Sequence, residues 1–111
     1  MADTLTDDEV DRIFHALADA TRRDIVRRTL VGELSVSRLA EAYDMSFAAV
    51  QKHVAVLEGA GLVTKHPRGR QRLVHGNAET IERAQRLLTQ FEQLWRSRID
   101  RLDALLDDDP T

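Results

Sequence analysis

The chain has 111 residues, of which 42% are hydrophobic and 32% are charged, a balance typical of one folded domain and unlike that of a disordered chain. The absence of cysteine excludes disulfides, thiolate chemistry and cysteine-ligated metal sites. The N-terminus lacks the apolar core of a signal peptide, and no apolar run approaches the ~18 residues that a membrane span needs. We therefore expect a cytoplasmic protein that does not contact a membrane.

Two helices are predicted at the start of the chain. Thr6 is followed three positions later by Glu9, the pattern of a capping box, and apolar residues then recur at helical spacing. This pattern predicts a helix over about residues 7–18. Asp19 is a suitable cap for a second helix, which Gly32 would end.

The next segment, residues 35–59, has the form of a helix-turn-helix. Ser35 can cap a short third helix, and Ser46 can cap a fourth. Between them, Asp44 and Met45 leave room only for a turn, in which Asp tolerates the left-handed conformation. A helical wheel of the fourth helix puts four apolar residues on its core side, with small and polar residues outward. The predicted core residues are Phe47, Val50, Val54 and Leu57.

A basic β-hairpin follows at residues 62–76. Residues 62–66 and 71–75 have the composition of strands, and residues 67–70 (PRGR) that of a turn. Although the whole chain has a formal net charge of −3, residues 46–76 carry a net +4 and the remainder −7. A local basic patch matters more for phosphate binding than the sum over the chain. The cations of this segment are Lys52, Lys65, Arg68, Arg70 and Arg72.

The last predicted helix, residues 77–106, begins at Asn77 and carries an apolar stripe wide enough to pack on its own domain and still meet a partner helix. We interpret residues 1–106 as one domain and the acidic residues 107–111 as a disordered tail. The predicted fold is mostly α with a small β-hairpin wing (α+β), in the order α-α-α-α-β-β-α.

This order predicts contact with double-stranded DNA. In a helix-turn-helix the second helix lies in the major groove, with its N-terminal residues at the base edges. A small outer face lets the helix approach the bases: Ala48 and Ala49 can meet thymine methyl groups, Gln51 suits adenine, and Lys52 suits guanine or a phosphate. The hairpin would then reach along the backbone or into the minor groove.

Several segments together resemble the ArsR family of bacterial winged-helix transcriptional repressors. They are residues 17–23 (LADATRR), 32–36 (GELSV), 39–42 (LAEA), 50–57 (VQKHVAVL) and 60–63 (AGLV). The resemblance implies a winged helix-turn-helix homodimer, paired through its first and last helices, which represses transcription from a palindromic operator until an effector releases it. The expected DNA-binding residues are Ser46, Ala48, Ala49, Gln51, Lys52, His53, Arg68, Arg70 and Arg72. The expected dimer-interface residues are Ile13, Phe14, Leu88, Phe91, Trp95 and Leu102.

Neither metal site familiar in this family can be carried over, and no cofactor is expected. Ser35 and Ser37 stand where metal-sensing members have a Cys-x-Cys pair, and the last helix contains no histidine. His66 and His75 could face each other across the hairpin, but two histidines without a nearby carboxylate make a weak site.

Two alternatives stay open at this point. One is a winged-helix module that serves only protein pairing, and the other is a metal sensor with ligands such as Glu92, Asp100 or Asp103. The sequence shows no nucleophile with a base, phosphate loop or metal motif, so an enzyme is not expected. The effector and the operator sequence are not indicated.

Overall fold

A computed structural model describes residues 4–107 of the chain. It has five helices, α1 (Asp7–Leu17), α2 (Ala20–Val31), α3 (Val36–Glu41), α4 (Phe47–Gly59) and α5 (Ala78–Asp107), and three strands, β1 (Leu34–Ser35), β2 (Val63–Arg68) and β3 (Gln71–Gly76). The predicted mostly α fold with a small β wing is confirmed. Asp107 still belongs to α5, and the rest of the predicted acidic tail lies outside the described residues.

The helices begin at the predicted caps. The Thr6 hydroxyl accepts the N–H of Glu9 at 3.1 Å, and the Glu9 carboxylate accepts the N–H of Thr6 at 2.9 Å, which completes the capping box. This pairing with Thr6 lowers the pKa of Glu9. The side chains of Asp19, Ser35 and Ser46 cap α2, α3 and α4 by accepting the backbone N–H of the residue three positions later.

The predicted element order omitted one strand. Leu34 and Ser35 form β1, which pairs antiparallel with β3 through Leu34 with Val74 and Ser35 with Leu73, so the sheet has the order β1-β3-β2. Two residues are too few to show the alternation that identifies a strand. The same Ser35 also caps α3, and only this second role was predicted.

The two turns differ from their predicted conformations. β2 continues to Arg68 and β3 begins at Gln71, so the loop of the hairpin is Gly69-Arg70 alone. Gly69 has φ +62°, as required at the first loop position of a type II′ turn, where glycine fits without strain. The turn before α4 needs no left-handed residue, because within residues 4–107 only Gly61 and Gly69 have positive φ; the expectation for Asp44 was wrong.

The hydrophobic core joins all the helices to the sheet. Side chains from α1, α2, α3, α4 and β3 are completely or almost completely buried together, among them Ile13, Ile25, Leu39, Val50, Val54, Leu57 and Val74. α3 has only 6 residues, too few for a helix to be stable by itself, so its packing through Leu39 holds it in place. The core therefore holds the helix-turn-helix in place through its buried side.

α5 projects from this core. Thr80 and Ala84 are buried in its first turns, whereas every residue from Leu88 to Asp107 is exposed. The Cα radius of gyration is 19.6 Å, against about 13 Å for a compact domain of this length. Most of the apolar stripe of α5 thus finds no cover within the protomer.

A half-buried tyrosine shortly after the end of α3 contacts α2 through its hydroxyl. Tyr43 donates its hydroxyl to Asp24 Oδ2 at 2.5 Å, while Arg28 donates to the same oxygen at 2.7 Å and lies 5.6 Å from the tyrosine ring centroid. Burial, and next the bond to Asp24, raise the pKa of Tyr43 to about 12, and the same bond lowers the pKa of Asp24. The neutral phenol is thus favoured in the folded state.

This shift predicts a loss of stability at alkaline pH. Because the pKa of Tyr43 is higher when folded than its unfolded value near 10, its contribution is complete below pH ~10 and declines as pH rises towards 12. We expect the free energy of unfolding to fall more steeply over this range in the natural protein than in Tyr43→Phe, measured by urea denaturation at several pH values. Parallel pH profiles for the two proteins would contradict this account.

Candidate nucleic-acid interface

The candidate interface begins with the outer face of α4. The Ser46 hydroxyl accepts the N–H of Ala49 at 3.1 Å, and the buried side chains of Val50, Val54 and Leu57 fix the rotation of the helix. Ser46, Ala48, Gln51 and Lys52 are consequently exposed, while Ala49 is half-buried. The predicted smooth outer face is therefore present, with Lys52 as its cation.

One flank of α4 faces α2. The side chain of His53 is only 21% exposed, and its Nδ1 lies 3.3 Å from Arg22 Nη1 and 3.9 Å from Asp19 Oδ2. Since a guanidinium can only donate, Nδ1 is the acceptor in this contact. His53 was expected to bind DNA, and within the protomer its Nδ1 contacts Arg22 of α2.

Arg22 is a residue that the sequence interpretation missed. Besides contacting His53, it donates Nε to the carbonyl of Ala16 at 2.7 Å and Nη2 to the carbonyl of His15 at 3.0 Å. It thereby connects the end of α1 to the flank of α4. The sequence did contain a signal for this role. Where one helix directly follows another, an arginine in the first turn of the second lies near the unpaired carbonyls that end the first helix.

Two of the five cations in the basic segment have acidic partners. Lys65 Nζ lies 3.4 Å from Glu58 Oε1, and Arg68 Nη1 lies 3.2 Å from Glu33 Oε1. Lys52, Arg70 and Arg72 are exposed and make no ion pair with any residue between 4 and 107. The unpaired positive charge is thus concentrated on α4 and the tip of the hairpin.

The expectation that no carboxylate lies near the two hairpin histidines was wrong. His66 and His75 do face each other, with ring centroids 4.9 Å apart at 86°. However, a carboxylate is close by: Glu33 Oε2 lies 2.6 Å from His75 Nε2. Glu33 therefore bridges His75 and Arg68, which holds the hairpin against the residue before β1.

A cleft of about 250 Å³ separates the other flank of α4 from the hairpin. Phe47 and Gln51 line it on the helix side, and Arg70 and Arg72 line it on the hairpin side. Phe47 was expected in the core, but its side chain is 47% exposed in this cleft. The reason is its place at the first position of α4, where side chains point back past the helix end.

These groups suit a DNA duplex. Cations can neutralise phosphates, an amide can bind a base edge, and small or apolar side chains can meet a thymine methyl group. The predicted DNA-binding residues lie on α4, at its N-cap Ser46, or in the hairpin. Among them, His53 is directed to α2 and Arg68 pairs with Glu33.

A second surface is apolar and lies along α1 and α5. Phe14, Leu88, Phe91, Trp95 and Leu102 are all substantially exposed, as expected of interface residues. Ile13 is not on this surface: it is 1% exposed and packs inside the protomer, so the expectation for it was wrong. The stripe continues along α5 with Leu94, Ile99, Leu105 and Leu106.

Comparison with known proteins identifies the family. The family model described as a helix-turn-helix domain matches residues 17–66. The HTH-type transcriptional regulator Rv2034 of Mycobacterium tuberculosis is 35% identical over 97 residues, covering 87% of this chain and 88% of that protein. A crystal structure of an ArsR family transcriptional regulator is 33% identical, covers 85% of this chain and 97% of its own, and has a TM-score of 0.79.

The chain belongs to the ArsR family of transcriptional regulators. The predicted resemblance and the winged helix-turn-helix fold are thereby confirmed. The fold also matches the solution structure of a homodimeric winged helix-turn-helix domain from Mycobacterium bovis, with a TM-score of 0.64 at 22% identity and coverage of 84% and 92% of the two chains.

Two further findings concern the described part of this ArsR-family regulator. Within residues 4–107, no group of three or more histidine, aspartate or glutamate side chains is arranged to hold a metal ion. None of the helices in the same range is long and apolar enough to cross a membrane.

Proposed function

We propose that this ArsR-family regulator is a homodimeric repressor that binds a palindromic operator. The observation that carries the proposal is the set of exposed cations on α4 and on the hairpin that faces it: Lys52, Arg70 and Arg72 have no acidic partner among the described residues. A protein that served only pairing with other proteins would have no need to keep cations unpaired around a helix with so small an outer face.

The exposed stripe of α5 supports the homodimer. A contiguous apolar surface of this length is unusual on a monomer and is typical of an interface. A second copy of α5 offers a matching stripe, and a two-fold axis would relate the two α4 helices as the two halves of a palindromic operator are related. The related domain from Mycobacterium bovis is described as homodimeric.

The proposed contacts divide by chemistry. Ser46, Ala48, Ala49 and Gln51 set the sequence preference, while Lys52, Arg70 and Arg72 bind phosphates. His53, held by Arg22 through Nδ1, can donate its Nε2 proton to a phosphate beside α4. Arg68 can exchange the Glu33 carboxylate for a phosphate, because the side chains of Arg68 and Glu33 are both accessible at the surface.

Repression would follow from occupancy of the operator. In this proposal residues 1–106 form one domain. The dimer acts in the bacterial cytoplasm, where it meets the chromosome. Two α4 helices related by two-fold symmetry would enter successive major grooves, so the two halves of the operator would be inverted repeats about one helical turn apart.

Removal of one phosphate contact tests the assignment of the hairpin. Arg70→Ala should weaken binding to all DNA sequences alike and reduce the slope of log affinity against log salt by ~0.9 per lost phosphate contact, or ~2 per dimer. Fluorescence anisotropy of labelled duplexes at several salt concentrations measures both quantities. Arg27→Ala is the matched control, since it removes the same charge from α2, where Arg27 lies 2.8 Å from Asp24.

Two outcomes would contradict the proposal. Equal salt slopes for the natural protein and Arg70→Ala would remove the hairpin from the DNA interface. Equal affinity of the natural protein for all DNA sequences would refute specific operator binding. The alternative of a winged-helix module that serves only protein pairing would then stand.

A further inference from the structure

Phe47 is an aromatic side chain without a partner in the core. It is the first residue of α4, it is 47% exposed, and it lies in the cleft between α4 and the hairpin. Burying an aromatic side chain stabilises a fold, so a phenylalanine that stays this exposed forgoes a substantial part of that stabilisation.

The surroundings of Phe47 indicate what covers it. Gln51 lies one helical turn further along α4 on the same side of the cleft, and Arg70 and Arg72 lie opposite. The cleft thus brings the ring of Phe47 and the amide of Gln51 opposite two arginines, and its other lining residues are Ser35, Val36, Ser37, Lys65 and Gln71. A partner with a negative backbone and a partly apolar interior fits this combination, and a DNA major groove offers both.

We infer that Phe47 is a specificity-determining residue that recognises the C5-methyl group of a thymine in each half of the operator. This inference rests on the proposed operator binding. The N-terminal residues of a helix in the major groove are those that reach base edges, and phenylalanine is one of the side chains that contact the thymine methyl group. Gln51, on the same flank, reads an adenine next to that thymine through its N6 and N7 atoms.

Deoxyuridine supplies a test that leaves the protein unchanged. It pairs as thymine does but lacks the methyl group. A binding sequence is first selected from a random duplex library with the natural protein, and each thymine is then replaced singly by deoxyuridine. At one thymine in each half-site, the replacement should weaken binding about fourfold, the effect of losing one buried methyl group.

Phe47→Ala should abolish the response at that thymine and leave the responses at other positions intact. Met45→Ala is the matched control, because Met45 is an exposed apolar residue of the turn before α4. It should keep the full deoxyuridine response. Phe47→Leu keeps an apolar side chain and should retain part of it. Since Phe47 lies outside the core, circular dichroism should show all three variants folded.

The possible results separate this inference from the proposed function. If the natural protein selects a sequence but no thymine responds to deoxyuridine, or if Phe47→Ala responds as the natural protein does, the role of Phe47 is refuted and operator binding stands. If the natural protein selects no sequence at all, both are refuted.

Discussion

Phe91→Glu is expected to convert the regulator from a dimer to a monomer at micromolar concentration. Phe91 lies in the exposed apolar stripe of α5, where its side chain is 57% accessible in the protomer. In a symmetric interface the substitution would place two carboxylates in an apolar contact. Truncation of a central aromatic residue commonly costs 2–4 kcal/mol, and a buried charge adds to that cost, so dimerisation should weaken by at least ~30-fold.

The loss of the dimer should extend to DNA binding. A dimer binds its second half-site as an intramolecular event, so a monomer should bind the operator on the order of 100-fold more weakly. Sedimentation equilibrium measures the first effect and anisotropy the second.

The control for this experiment is Gln93→Glu. Gln93 lies on the polar side of α5, together with Gln85, Thr89 and Gln90. It receives the same charge on the same helix but should leave both the dimer and DNA binding intact. Equal dimerisation of the Phe91 and Gln93 variants would show that this stripe is not the interface.

Leu39→Ala is expected to have the largest effect on stability. Leu39 is completely buried and is the main anchor of α3, a helix too short to persist without packing. Loss of a fully buried leucine typically costs about 2–5 kcal/mol, because the transferred apolar surface is lost and a cavity is left. The free energy of unfolding from urea denaturation, at one fixed protein concentration, measures this cost.

Val31→Ala provides the comparison for Leu39→Ala. Val31, at the end of α2, is 88% exposed, so its truncation should change stability by less than about 0.5 kcal/mol. If both variants lost the same stability, the packing of α3 through Leu39 would not be what holds the helix-turn-helix together.

The parts of the fold that the sequence predicted well are those decided by neighbouring residues. Helix caps depend on a side chain two or three positions from the N–H it binds, so Thr6, Asp19, Ser35 and Ser46 identified the helix starts correctly. β1 was missed because its existence depends on pairing with β3, almost 40 residues later in the chain.

The candidate site was predicted in outline but not in its connections. The sequence located Gln51, Lys52 and the hairpin cations, because their positions follow from periodicity and turn composition. It could not show that Glu33 pairs with Arg68 and His75, which lie more than 30 residues away in the chain. Such pairs are set by tertiary contacts.

Two errors have a local geometric cause. The helical wheel assigned Phe47 to the core by angle alone, without regard to its place at the end of the helix, where no core lies behind it. The second error is the assignment of Ile13 to the dimer interface. Ile13 and Phe14 are neighbours on the same apolar stripe of α1, and the stripe does not show which of them is buried within the protomer.

Hydroxyl-radical footprinting of the natural protein on a selected duplex, at a measured ratio of protein to DNA, tests the proposed function most directly. Our account predicts saturation at two protomers per duplex, with protection of the sugar-phosphate backbone in two segments about one helical turn apart and no comparable protection of a scrambled duplex. One protomer per duplex, protection of a single segment, or equal protection of both duplexes would contradict it.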